Sequence, residues 1–170
     1  HTGQKCSAQS ILLAHENWVE KGLYKDMAAI SSERSHDDLS IGPVLSVTTK
    51  EFLEHTAKCA AIPGAKVLFG GTELQNHSIP SCYGAVVPTA VHVPLHEIPK
   101  HFDLVTTELF APFQIVTTWK TEEDLSLILE LLERMHAHLT AAVVSNDQQF
   151  LNRVIGSTVN GTTYAGIRAR

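Results

Sequence analysis

Little in this chain invites a disulfide scaffold, a membrane span or a polyanionic partner. It has only three cysteines, Cys6, Cys59 and Cys82. An odd, sparse count in a chain able to build a core implies reduced thiols, not staples. No apolar run approaches the ~20 residues that cross a bilayer, so no membrane partner is expected. Basic residues are the minority: 13 Lys and Arg face 18 Asp and Glu, a formal net charge of -5 with neutral histidines. A nucleic-acid surface wants a basic patch, so no nucleic acid is expected either. Internal repeats and low-complexity stretches are missing. The 10 histidines are scattered, and without clustered ligands no metal is expected. No targeting segment opens the chain, which leaves room for one upstream.

What is present is ordinary globular material: 170 residues, 44% hydrophobic and 18% charged. The length suits one domain with a respectable core. Periodicity predicts a helix from about His15 to Ser31, capped by Asn17 with Glu20, with Val19, Leu23, Met27 and Ile30 on one face. Thr48 with Glu51 reads as a capping box opening a second helix that Pro63-Gly64 ends. Lys66–Phe69 reads as a strand. A longer strand is expected from Gly84 to Val93, with Pro88 at an edge or bulge. Pro94 to Asp103 reads as irregular. Phe113–Trp119 is a strand by its β-branched and aromatic content. Thr121 caps a helix carrying Leu125, Ile128, Leu129, Leu132 and Met135. Thr140–Val144 is a strand, Ser145 with Gln148 opens another helix, and Gly156 to Asn160 reads as a final strand. Alternating strands and helices predict an α/β fold, a largely parallel sheet flanked by helices.

One stretch stands out: Thr2-Gly3-Gln4-Lys5-Cys6-Ser7-Ala8-Gln9-Ser10. It reads as a thiol at the entrance to a helical turn, ahead of the apolar run Ile11-Leu12-Leu13-Ala14. Orphan N–H groups at such a terminus favour a thiolate, the form that attacks a carbonyl carbon. The alternative is a small buried hydrophobe. A papain-like pairing from Gln4 and Cys6 lacks its usual surroundings and a designated histidine. His55 and Cys59, four apart on a helix, are a poor start on a metal site, and a structural role is favoured.

Gly3-Gln4-Lys5-Cys6 resembles the active-site cysteine motif of the aldehyde dehydrogenase superfamily. Thr107-Glu108-Leu109-Phe110-Ala111-Pro112 is similar to the family's Glu-x-Phe-Gly-Pro, and Val159-Asn160-Gly161-Thr162-Thr163 stands where its substrate loop is expected. The wording is closest to the plant-type Δ1-pyrroline-5-carboxylate dehydrogenase branch. That likeness is carried by Gly3 to Ser10, Ile41 to Val47, Ile62 to Gly71, Glu130 to Asp147 and Asn160 to Gly166.

The resemblance implies the catalytic, thiol-bearing domain portion (1–170) of an NAD-dependent enzyme that oxidises L-glutamate γ-semialdehyde to glutamate in proline catabolism. Cys6 is then the nucleophile, and its backbone N–H an oxyanion donor. Glu108 holds the nicotinamide ribose hydroxyls, the alternative being a surface acid. Phe110 packs on the nicotinamide, the alternative being a core aromatic. Ser7 contacts the substrate α-carboxylate, or else caps a helix. Ala165 and Gly166 offer backbone N–H groups to the same carboxylate. Arg168 and Arg170 add positive charge nearby or are simply solvated. Ala111 departs from the family glycine, which calls the local backbone geometry into question. The family's general base, second oxyanion donor and NAD-binding domain have no counterpart in these residues. Partners are therefore an aldehyde substrate, the missing domain of the same protein and further copies in a homo-oligomer; the location is mitochondrial. The competing expectation is a fragment without dehydrogenase activity, a structural or interaction part of a larger assembly.

Overall fold

The computed structural model describes residues 2–166. The chain divides into two compact units, His1–Trp119 and Lys120–Arg170, each considered by itself.

The first unit is built on four strands: β1 (Ile11–His15), β2 (Lys66–Phe69), β3 (Thr89–His92) and β4 (Phe113–Trp119). Their spatial order is β1-β4-β3-β2. β1 and β3 run parallel to β4, and β2 closes the sheet antiparallel to β3. β4 lies inside the sheet, with Ile115 opposite Ile11 on one side and Val91 on the other. Its consecutive Ile115, Val116 and Thr117 are all buried, as expected of a strand covered on both faces. The expected strand from Gly84 to Val93 forms only from Thr89. Upstream of it the chain makes single bridges, Val44 to Gly84 and Glu73 to Val86. Pro88 therefore stands just before an interior strand, where its missing N–H removes no ladder bond. The irregularity in pairing falls on β2, between Val67 and Phe69.

Helices cover this sheet. The expected single helix from His15 to Ser31 is two, α1 (Glu16–Glu20) and α2 (Leu23–Ser32), because Gly22 adopts φ 98° between them. Only a residue without a Cβ takes that conformation cheaply. The cap is His15, whose ring nitrogen Nδ1 accepts from the Asn17 N–H at 3.2 Å, and not the Asn17–Glu20 pair. Tyr24 on α2 meets Thr118 of β4 through a 2.6 Å hydrogen bond. α3 (Thr49–Ala60) carries the expected box: Thr48 Oγ1 accepts from the Glu51 N–H and the Glu51 carboxylate accepts from the Thr48 N–H. It buries Phe52, Thr56 and Cys59, and Phe52 meets Phe113 edge-to-face at 5.7 Å.

The stretch expected to be irregular is a 3-10 helix, Leu95–His101, running into α4 (Phe102–Thr106). Leu95, Ile98, Phe102 and Val105 are buried along it. Their spacing is helical, but two prolines, Pro94 and Pro99, conceal it.

The second unit pairs β5 (Thr140–Val143) in parallel with β6 (Thr162–Ala165), with α5 (Glu122–Arg134) and α6 (Gln148–Ser157). Thr121 caps α5 as expected, in a box with Asp124, but the buried residues are Leu125, Ile128 and Leu131. The His138 ring nitrogen Nε2 lies 3.1 Å from the Leu132 carbonyl near that helix's end. α6 is capped by Asp147, whose carboxylate accepts from the Gln149 and Phe150 N–H groups; the Ser145–Gln148 pair does not cap it. The helix continues through Gly156 to Ser157, so the last strand is β6, later than expected. Across both units, strands alternate with helices and parallel pairing dominates, which is the expected α/β class.

Candidate active site

Cys6 stands on a turn, not at a helix start. The Ala8 N–H donates to the Lys5 carbonyl at 2.8 Å, and among the described residues no helix begins before Glu16. The helix-dipole argument for a thiolate therefore does not hold. What the turn supplies instead is exposure: Cys6 is solvent-accessible and free, followed at once by the half-buried Ser7.

The turn is seated by its two preceding residues. Gly3 adopts φ 71°, and a Cβ there would lie 2.0 Å from the Ala111 carbonyl oxygen and 2.5 Å from its carbon. The thiol loop thus presses backbone-to-backbone on the loop that carries Glu108 and Phe110. Gln4 then uses both ends of its carboxamide. Nε2 donates to the Pro43 carbonyl at 3.0 Å, and Oε1 accepts from the Leu45 N–H at 2.8 Å. Thr2 adds a third tie, its hydroxyl accepting from the Gly42 N–H at 3.2 Å. The Ile41-Gly42-Pro43-Val44 turn is the other half of this clamp.

The acidic loop leaves α4 and enters β4. Glu108 is exposed. Phe110 is 38% exposed and adopts φ 50°, so it is not a core aromatic. The backbone reversal falls on Phe110 and not on Ala111, whose methyl is buried at 5% exposure. The departure from glycine is thereby accommodated. A shallow cleft joins the two loops, walled by Gly3, Ala8, Ser10, Glu108, Phe110 and Ala111. Cys6 and Ser7 are not in its wall; they sit on the turn that feeds it. A carboxylate is a multiple acceptor, and Phe110 offers an accessible aromatic face. Both residues line the cleft.

Ala165 and Gly166 belong to the second unit. Ala165 is exposed at the end of β6. The Gly166 N–H already donates to the Val143 carbonyl at 2.9 Å, so it is not a free donor for a carboxylate. Arg168 and Arg170 lie outside the described residues.

The other thiols carry no such context. Cys59 is fully buried, 3.5 Å from the His55 ring. Burial pushes its pKa up to about 11, and burial first, then Lys58, lowers that of His55. Both effects favour a neutral pair with a packing role. Among the described residues no three His, Cys, Asp or Glu side chains cluster as a metal site. Ser46 is a residue that sequence reasoning missed. Its hydroxyl donates to the carbonyls of Leu109 and Phe110 at 2.7 and 3.0 Å. No local signal marks it, since its partners lie more than sixty residues away.

Fold and loops together define a class: an α/β domain that presents a thiol on a turn clamped against an acidic loop. Solved structures share the α/β architecture. PnpE in complex with nicotinamide adenine dinucleotide superposes with a TM-score of 0.78 at 19% identity, over 99% of this chain and 34% of that one. Apo betaine aldehyde dehydrogenase of Staphylococcus aureus gives 0.76 at 22%, over 100% and 33%. The chain belongs to the aldehyde dehydrogenase family, whose sequence model matches residues 1–167. It is 59% identical over 99% of its length to the mitochondrial Δ1-pyrroline-5-carboxylate dehydrogenase 12A1 of Arabidopsis thaliana, of which it covers 31%. A Linum usitatissimum protein named "Probable aldehyde dehydrogenase" is 61% identical, again over 99% of this chain and 31% of its own length. The chain thus spans about a third of the curated relatives it matches.

Proposed function

We propose that this chain supplies the nucleophile-bearing part of an enzyme oxidising L-glutamate γ-semialdehyde to glutamate, with NAD as hydride acceptor, in mitochondrial proline catabolism. The observation that carries the proposal is the seat of Gly3 against Ala111, which brings the Cys6 turn and the Glu108–Phe110 loop to one cleft. Likeness over 99% of this chain to a relative named for Δ1-pyrroline-5-carboxylate, the cyclic imine that this semialdehyde forms by losing water, supports the choice of aldehyde. It also supports the mitochondrial location.

In this reading the Cys6 thiolate adds to the aldehyde carbon, forming a C–S bond and an alkoxide. The Cys6 backbone N–H stabilises that oxygen. Glu108 would accept from the ribose hydroxyls of NAD and the Phe110 ring would pack on its nicotinamide. NAD, when bound, would supply the hydride acceptor for the C–H of the Cys6 adduct. The carbonyl then re-forms as a thioester on Cys6, and water displaces the thiolate to give the carboxylate. Ser7 contacts the substrate's own α-carboxylate. The general base, the second oxyanion donor and the rest of the cofactor site come from other parts of the protein. Association into homo-oligomers belongs to the same proposal.

The test is steady-state oxidation of glutamate γ-semialdehyde with NAD by the full-length protein. Cys6→Ala is expected to abolish turnover, while Cys59→Ala and Cys82→Ala retain it. Undiminished activity of Cys6→Ala refutes the assignment of the nucleophile.

A further inference from the structure

We infer that Ser46 is a positioning residue for cofactor binding: its hydroxyl holds Phe110 in the turned conformation that faces the ring toward the cleft. The inference rests on the proposed reading of the Glu108–Phe110 loop as the NAD contact.

Phe110 has φ 50°, a region that sterics close to most bulky L-residues. Something outside the residue must hold it there. The Ser46 hydroxyl has one proton, yet it lies 2.7 Å from the Leu109 oxygen and 3.0 Å from the Phe110 oxygen. In extended chain, successive carbonyls point to opposite sides. One hydroxyl reaches both only when the residue between them is turned back. Ser46 therefore bonds the turned state of Phe110 and not its extended alternative. It does so from outside the cleft, whose wall does not include it.

Ser46 is also well anchored for the task. Its neighbour Leu45 donates its N–H to Gln4, and Pro43 accepts from the same carboxamide. Pro43 to Ser46 therefore ties the turn bearing the thiol to the loop bearing the aromatic ring. Shifting either loop strains the other through four residues of chain.

The experiment compares Ser46→Ala and Ser46→Thr with Glu108→Gln in the full-length protein. NAD affinity is read by calorimetry, the KM for the aldehyde by kinetics, Cys6 reactivity by the rate of alkylation, and integrity by the unfolding temperature. Ser46→Ala is expected to weaken NAD binding about fivefold, the size of one lost hydrogen bond. Aldehyde KM, alkylation rate and unfolding temperature stay near wild type. Ser46→Thr, which keeps the hydroxyl, restores the affinity. If Ser46→Ala binds NAD within twofold of wild type while Glu108→Gln does not, the role of Ser46 is refuted and the cofactor reading survives. The role is equally refuted if Ser46→Thr fails to rescue, or if affinity falls only together with the unfolding temperature. If Glu108→Gln also leaves NAD affinity unchanged, the cofactor reading falls, and this inference with it.

Discussion

Gly3 shows how one residue decides whether a nucleophile is usable. A methyl at that position meets backbone atoms, the Ala111 oxygen at 2.0 Å and its carbon at 2.5 Å. Neither can swing away as a side chain can, and φ 71° is itself unfavourable for any residue with a Cβ. Gly3→Ala must therefore move the Cys6 turn off the Glu108 loop. A displacement of about 1 Å between reacting groups costs on the order of a hundredfold in rate. We expect kcat/KM of the full-length protein to fall by at least about that factor, with Cys6 still alkylated. A Gly3→Ala enzyme within tenfold of wild type would show that the seat is dispensable. Ala111 is the instructive contrast. Its position in the motif suggested a need for glycine, but the positive φ sits one residue earlier, on Phe110. A sequence motif names the loop; only the folded backbone says which peptide is reversed.

At the level of elements, the helix starts follow local chemistry closely. Thr48 with Glu51 and Thr121 with Asp124 satisfy orphan N–H groups within three residues, so the first box and the Thr121 cap are visible in the sequence. Thr121→Ala should destabilise α5 by about 1 kcal/mol, seen as faster amide hydrogen exchange across Glu122–Arg134. The acid side follows from the sign of the shift. Hydrogen bonds from the Thr121 backbone N–H first, then from that of Lys120, hold the Asp124 carboxyl below its ordinary value of 3.8. Its folded pKa lies under its unfolded one, so its stabilisation is present above 3.8 and is lost as pH falls through the folded value. Asp124→Asn is expected to flatten the acid-induced rise in exchange at α5; an unchanged pH profile would rule the carboxylate out as its source. Where a boundary depends on packing or on glycine, local reading fails. Gly22 splits α1 from α2, and buried Leu95, Ile98, Phe102 and Val105 sustain helix around two prolines that argue against it.

For the whole molecule, the relevant fact is span. The chain covers 31% of each of the two plant relatives named above, and several large apolar side chains stand open to solvent. Leu39 is 84% exposed, Leu45 68% and Leu139 57%. Catalytic groups that act as a unit lose most of their effect when one is removed. The 170-residue chain alone is therefore expected to give no NAD-dependent turnover of glutamate γ-semialdehyde, while the full-length protein does. Exposed leucines of this kind are expected to favour association, which sedimentation velocity would register as species larger than a monomer. Turnover by the short chain at the full-length rate would overturn the division of labour proposed above.

By itself the sequence determined the α/β alternation, the Thr48–Glu51 capping box, the Thr121 cap, the strand Phe113–Trp119 and the order of the family's motifs. Each of these is written within a few residues, where helix and strand geometry make neighbours of positions close in the chain. Tertiary structure alone decided that Gly3 lies on Ala111, that Gln4 grips Pro43 and Leu45, and that Ser46 holds Phe110. It also removed the helix start expected at Cys6 and committed the Gly166 N–H to Val143. Those contacts join segments separated by tens of residues, and no local propensity encodes them. The Gly3–Ala111 contact exists because β4 pairs in parallel with β1, which draws the loops entering those two strands together at one end of the sheet.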